Sequence, residues 1–168
     1  FFPPRPRELL HSTELDWSRD LRPERVDSQR ADFRVSSEGS YLEYKPCLRG
    51  VDGLAWSLGT NKLALGATTN DVYPSFTSGL HGRITGRVVF PSRVLGRELA
   101  LRVYLPPGYD ENTLKRYPVL YMQDGQNLFF PDEAFQGAEW KVDETSQTLR
   151  AMRAVEDFVI VGIYSGDR

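Results

Sequence analysis

The sequence predicts an α/β fold that is preceded by a small antiparallel β module. Two runs, Pro118–Met122 and Phe158–Tyr164, are almost continuously apolar, which is typical of strands covered on both faces. Between them, apolar residues recur at helical spacing over Lys141–Val155. This strand, helix and strand order predicts a right-handed crossover between parallel strands.

A hairpin is expected just before the crossover. Arg83–Pro91 and Glu98–Leu105 have the composition of paired strands, and the segment between them contains a glycine, Gly96.

Shorter runs occupy Phe33–Leu65 and are separated by Gly, Asn, Asp or Ser. In Tyr41–Pro46 the residues alternate with the period of a half-buried strand. We therefore predict a sandwich-like antiparallel module over residues 1–71 and the α/β domain over residues 72–168, with the boundary in the turn-rich stretch Gly66–Gly82.

Composition excludes several classes of function. The 168 residues carry a formal net charge of −2 with both signs interspersed, so we expect neither a nucleic acid nor a membrane as partner. A single cysteine, Cys47, cannot form an internal disulfide, and the supply of Cys and His is too thin for a zinc site. We expect Cys47 to be a buried or inert thiol, and no metal or organic cofactor to be bound.

The tetrapeptide Asp124–Asn127 follows the first apolar run directly. Ligands gather at the carboxyl ends of strands in open α/β sheets, and a glycine there lets the chain turn sharply and leave amide N–H groups available. Gly125 and Gln126 are the candidate oxyanion donors, with Asp124 and Asn127 as supporting residues. The alternative is a tight turn in which Asp and Asn bond their own backbone.

A longer string carries a family resemblance. It consists of VYLPPGYDENTLKRYPVLYMQDGQNLF, then AFQGAEWKVDE, then FVIVGIYSGDR. These motifs, in this order, resemble the esterase family of α/β-hydrolases, which includes enterochelin-esterase-like, feruloyl-esterase-like and S-formylglutathione-hydrolase-like enzymes. Here Gln123 stands where that family frequently has His, which leaves the backbone role of the turn intact.

The resemblance implies a serine hydrolase that cleaves carboxylic esters, with one oxyanion N–H from Gln126. The family carries its nucleophile in a G-x-S-x-G elbow on a later strand, followed by an acid and a histidine. Ser165 has the wrong spacing for that elbow, because the first glycine lies three residues before it. Ser78 and His81 lie in the turn-rich stretch, so we expect no catalytic residue within these 168 residues.

Two aromatic residues are candidates for the wall of a substrate pocket. Trp140 and Phe135 follow the turn in sequence, and the resemblance allows them to line an acyl pocket. Core packing against the predicted helix is the alternative.

The N-terminal module has a weaker likeness of its own. The string YLEYKPCLRGVDGLAWSLGTNKLAL is similar to starch-binding or glycogen-binding β modules, with Trp56 as a candidate platform for sugar. A core tryptophan is equally consistent with the pattern.

Because the sequence begins Phe1-Phe2 rather than with Met and stops after a predicted strand, we expect a fragment of a larger esterase. The alternatives are a non-catalytic relative of the hydrolases and a glycan-binding protein. Which ester is cleaved, the oligomeric state and the compartment all remain open.

Overall fold

The computed structural model describes residues 7–12, 21–36, 39–76, 79 and 81–166. The chain divides by its internal contacts into two compact units, Phe1–Phe76 and Thr77–Arg168.

The first unit is a sheet organised around one long strand, β4. The strands are β1 (Arg7–Ser12), β2 (Arg25–Val26), β3 (Ala31–Asp32), β4 (Tyr41–Gly50), β5 (Gly53–Trp56) and β6 (Lys62–Leu65). β4 pairs antiparallel with β1, β5 and β6, while β2 and β3 form a separate antiparallel pair. The predicted short antiparallel strands of this region are therefore present.

Two local features explain the turns of this unit. Gly53 has a φ of 118° and follows the two-residue turn that joins β4 to β5, a conformation that glycine adopts without steric cost. Between β2 and β3, the Asp27 carboxylate accepts hydrogen bonds from the N–H groups of Gln29 and Arg30, both at 2.8 Å. On β4, Tyr44 and Cys47 are buried.

Within its described residues, the second unit is a mixed sheet with one α-helix. Its strands are β7 (Arg83–Ile84), β8 (Val88–Ser92), β9 (Arg97–Leu105), β10 (Val119–Met122) and β11 (Val159–Ile163), and the helix is α1 (Val142–Ala151). The order is β10-β11-β9-β7, with β8 also paired to β9. In its described residues this unit is mostly strand with a single α-helix, which agrees with the predicted α/β class.

The predicted hairpin and the predicted parallel strand pair are confirmed. β8 and β9 form an antiparallel hairpin from Ser92↔Arg97 onward, and Gly96 in its turn has a φ of 63°. β10 and β11 are parallel, with α1 between them in the chain. The helix is shorter than predicted, because Arg153 adopts a left-handed φ of 58° that the helix cannot continue through.

The expectation that both apolar runs are covered on both faces is correct for β11 and wrong for β10. Ile160 on β11 is fully buried in a cluster with Tyr104, Leu128 and Phe129. The first three residues of β10 are 43% to 68% exposed, because β10 is the terminal strand of the sheet in the described residues and pairs only with β11.

Candidate active site

The chain reverses direction immediately after β10. Asp124 adopts a left-handed conformation (φ 55°, ψ 44°), and Gly125–Asn127 then form a single 3₁₀ turn. The Asn127 N–H donates to the Asp124 carbonyl oxygen at 2.8 Å, and the Leu128 N–H donates to the Gly125 carbonyl oxygen at 3.4 Å. Asp124 tolerates this backbone because short polar residues are the side chains that visit the left-handed region most readily.

The turn lies directly against β11. An added Cβ on Gly125 would be 2.6 Å from the Gly162 carbonyl carbon and 2.8 Å from the Ile163 nitrogen. A Cβ on Gly162 would in turn be 3.2 Å from the Gly125 Cα. The loop after β10 and the strand β11 thus approach each other through two glycines, which leaves no space for a side chain on Gly125.

The amides of the turn differ in their engagement. The Asn127 N–H is bonded within the turn. In the part of the chain that the structure describes, the N–H groups of Gly125 and Gln126 donate no hydrogen bond. Two consecutive donors are therefore available at the carboxyl end of β10, an arrangement that suits a developing negative charge.

Asn127 fixes the segment that follows. Its side-chain Oδ1 accepts the Phe135 N–H at 2.8 Å, and its carbonyl oxygen accepts the Trp140 N–H at 2.7 Å. The loop that leads to α1 is thereby folded back onto the turn.

The side chain of Gln126 connects the turn to the end of β11. Gln126 Nε2 donates to Ser165 Oγ at 2.8 Å, and the Ser165 N–H donates to Gln126 Oε1 at 3.2 Å. Ser165 is a loop residue that follows β11.

These residues surround a cleft of about 690 Å³ at the carboxyl ends of β10 and β11. It is within the size range of small-molecule sites. The residues that line it combine both signs of charge with polar and aromatic groups: Arg87, Asp124, Gln126, Asn127, Glu133, Phe135, Tyr164, Ser165 and Gly166.

A hydrogen-bonded ion pair supports one wall of the cleft. Arg102 on β9 donates from Nε to Glu133 Oε2 at 2.8 Å and from Nη2 to Glu133 Oε1, and the Tyr164 hydroxyl also donates to Glu133. The Arg102 side chain is 17% exposed and that of Glu133 is 24% exposed. Such bidentate geometry holds both partners in fixed positions.

The same contacts shift the ionisation of these groups. The hydrogen bond from Arg102 lowers the pKa of Glu133 despite the opposing effect of burial, and the Tyr164 hydroxyl lowers it further. Burial, followed by the bond to Glu133, raises the pKa of Tyr164. Glu133 therefore stays a carboxylate and Tyr164 a neutral phenol at neutral pH. The Arg87 guanidinium also contacts Tyr164, at 4.7 Å from the centre of its ring.

The two aromatic candidates have different positions. Phe135 lines the cleft and is 74% exposed, whereas Trp140 is 52% exposed and is not among the lining residues. Neither side chain is a core residue. In the first unit, Trp56 on β5 is 39% exposed.

The remaining serine and histidine candidates are Ser78 and His81. His81 Nδ1 lies 2.7 Å from Gln147 Oε1 on α1. Ser78 lies outside the described residues. Where the structure describes the chain, no three metal-ligating side chains come together, and no helix has the length and apolar character needed to cross a bilayer.

Sequence reasoning missed Arg87, Arg102, Glu133 and Tyr164. Tyr164 had a usable signal, because it follows an apolar strand at the same sheet edge as the turn. The other three come from β9 or from loops, where nothing in the local pattern distinguishes them from surface charges.

Comparison with known proteins finds similarity to esterases over part of the chain. Residues 92–168, just under half of the chain, match the family model described as "Putative esterase". Among solved structures, the chain is similar to a ferulic acid esterase at 27% identity with a TM-score of 0.42, over 54% of this chain and 33% of that chain. The chain thus spans about a third of that structure, and no curated protein matches it.

Proposed function

We propose that this chain is part of a serine esterase that hydrolyses carboxylic esters through an acyl-enzyme, and that the Gln126 N–H is one of its oxyanion donors. The observation that carries the proposal is the pair of N–H groups at Gly125 and Gln126 that donate no hydrogen bond in the described structure and directly follow β10, where Gln126 lines the cleft. The family match over residues 92–168 supports the same class of reaction.

The chemistry assigned to the turn is electrostatic. When a serine hydroxyl attacks an ester carbonyl, a base removes its proton and the carbonyl oxygen becomes an oxyanion. The Gln126 N–H, and beside it the Gly125 N–H, stabilise that charge. Such sites have a further donor in the N–H of the residue after the nucleophile. Collapse of the intermediate expels the alcohol and leaves the acyl-enzyme, which water then hydrolyses. No metal or organic cofactor takes part in these steps.

Other residues of the cleft have supporting roles in this proposal. Asp124 sets the left-handed entry to the turn, and Asn127 holds the loop that carries Phe135. The exposed ring of Phe135 provides an apolar wall for the acyl or alcohol group of the ester.

The test uses the full-length protein and a nitrophenyl ester. Gln126→Pro deletes the proposed donor, and we expect kcat to fall about a hundredfold or more. Gln126→Ala keeps the N–H and is the matched control, with at least about tenfold more activity than the proline variant. Equal activity of the two variants would show that this amide is not a donor.

The full-length sequence provides a second test of the same proposal. A serine esterase requires a G-x-S-x-G elbow and a later histidine beyond Arg168. If either were missing, the protein would be a non-catalytic relative that binds its ligand in the cleft.

Glycan binding by the first unit is a second candidate function, favoured by one observation. The Trp56 indole is 39% exposed on a strand that pairs only with β4 in the described sheet. An indole presented in this way can stack on the face of a sugar ring.

A further inference from the structure

The N–H groups of the Gly125–Asn127 turn have to be held in a fixed orientation if they are to act as donors. The first two N–H groups of the turn donate no hydrogen bond in the described structure. The peptide plane that carries the Gln126 N–H is held within the turn only on its carbonyl side, by the long 3.4 Å bond from the Leu128 N–H to the Gly125 oxygen. A donor that stabilises a transition state must nevertheless be held in place before the reaction. Because the turn bond on the plane of the Gln126 N–H is long, contacts outside the turn contribute to that restraint.

The steric contact of Gly125 supplies only part of this restraint. Its close approach to Gly162 prevents the turn from moving toward β11. A steric contact of this kind does not prevent movement in the opposite direction, away from the strand and into the cleft. A directional attraction is needed for that.

The Gln126 carboxamide provides this attraction. Its Nε2 donates to Ser165 Oγ at 2.8 Å, and its Oε1 accepts the Ser165 N–H at 3.2 Å. Both ends of the amide are used on one residue, and rotating the amide by 180° would replace the second bond with two opposed donors. The side chain therefore has one bonded orientation, and it ties the turn to a residue 39 positions later in the chain.

Tyr164, the residue before Ser165, is tied into the sheet. Tyr164 donates from its hydroxyl to Glu133, which is paired with Arg102 on β9. The anchor of the Gln126 side chain is thus adjacent to a residue tied into the sheet by an ion pair.

We propose that the Gln126 side chain and Ser165 form a positioning pair that orients the backbone N–H of Gln126. Ser165 acts through Gln126 and does not touch the reacting atoms. This inference rests on the proposed esterase function and adds to it a residue whose hydroxyl has a structural rather than a nucleophilic role.

The experiment measures kcat and KM of the full-length protein for a nitrophenyl ester. Ser165→Ala removes the hydroxyl acceptor, and we expect kcat to fall about tenfold, a fraction of the hundredfold that a misplacement of roughly 1 Å can cause. KM should stay within about twofold, because the lost interaction is made in the transition state. Ser165→Thr keeps a hydroxyl and should restore kcat to within about twofold of the wild type.

A double-mutant cycle separates positioning from general damage. Because Gln126→Ala already removes the partner of Ser165, the Gln126→Ala/Ser165→Ala double variant should have the same kcat as Gln126→Ala alone. Multiplicative losses would overturn the pairing, as would wild-type kcat in Ser165→Ala or equal losses in the Ala and Thr variants. Hydrolysis by the wild type combined with any of these results refutes only this inference, whereas no hydrolysis by the wild type refutes the proposed function as well.

Discussion

The contact between Gly125 and Gly162 gives the sharpest prediction from this structure. Gly125 does not have a positive φ, so alanine can adopt its backbone conformation and the substitution tests space alone. The added Cβ of Gly125→Ala would lie 2.6 Å from the Gly162 carbonyl carbon, and ordinary contacts begin at 3.4 Å.

The size of the effect follows from these distances. The difference of 3.4 − 2.6, about 0.8 Å, must come from moving either the turn or the strand, because the atoms that Cβ meets are backbone atoms of β11. Forcing a methyl group into such a contact costs ~1–3 kcal/mol. A displacement of the turn by this amount would also lower kcat, by up to about a hundredfold.

Hydrogen exchange of peptides that cover β11 reports the stability change in this unit directly. A loss of ~1–3 kcal/mol corresponds to exchange that is about 5 to 150 times faster. Gly86→Ala is the matched control, since a Cβ there meets nothing within 4 Å and φ is not positive. If Gly125→Ala exchanged as slowly as Gly86→Ala and kept its kcat, the close approach of the two backbones would be refuted.

Two further predictions concern stability and binding. Burial, followed by the neighbouring Glu144, raises the pKa of Asp143 from 3.8 to about 6. Between these two pH values the folded state holds a proton that the unfolded state has lost. The free energy of unfolding should therefore decrease as pH rises from about 4 to 6. Asp143→Asn should remove this pH dependence and stabilise the chain by ~1 kcal/mol at pH 7, a figure reduced for partial exposure. Unfolding midpoints measured from pH 4 to 7 test the prediction. The same pH dependence in the variant and the wild type would contradict it. If the first unit binds glycan, Trp56→Ala should abolish retention on insoluble starch while Trp140→Ala, an exposed tryptophan of the other unit, retains it; the absence of retention in the wild type would exclude this function.

The sequence by itself determined the elements whose signals are local. The β8–β9 hairpin was readable from two apolar runs and a glycine in their turn, and the parallel pair β10 and β11 from a helical repeat between two apolar runs. The turn at Asp124–Asn127 was readable because a glycine between polar residues interrupts an apolar strand. Such features depend on steric preferences and periodicities within a few residues, which are properties of the chain before it folds.

Only the tertiary structure decided which distant residues share the cleft and how they are held. Gln126 meets Ser165 across 39 positions, and Tyr164 meets Arg102 across 62. The exposure of β10 could not be predicted from the sequence either, because an apolar run has the same pattern whether it lies inside a sheet or at its edge. Pairings of this kind depend on strand order and on close contacts such as that of Gly125 with Gly162, and these exist only once the strands are side by side.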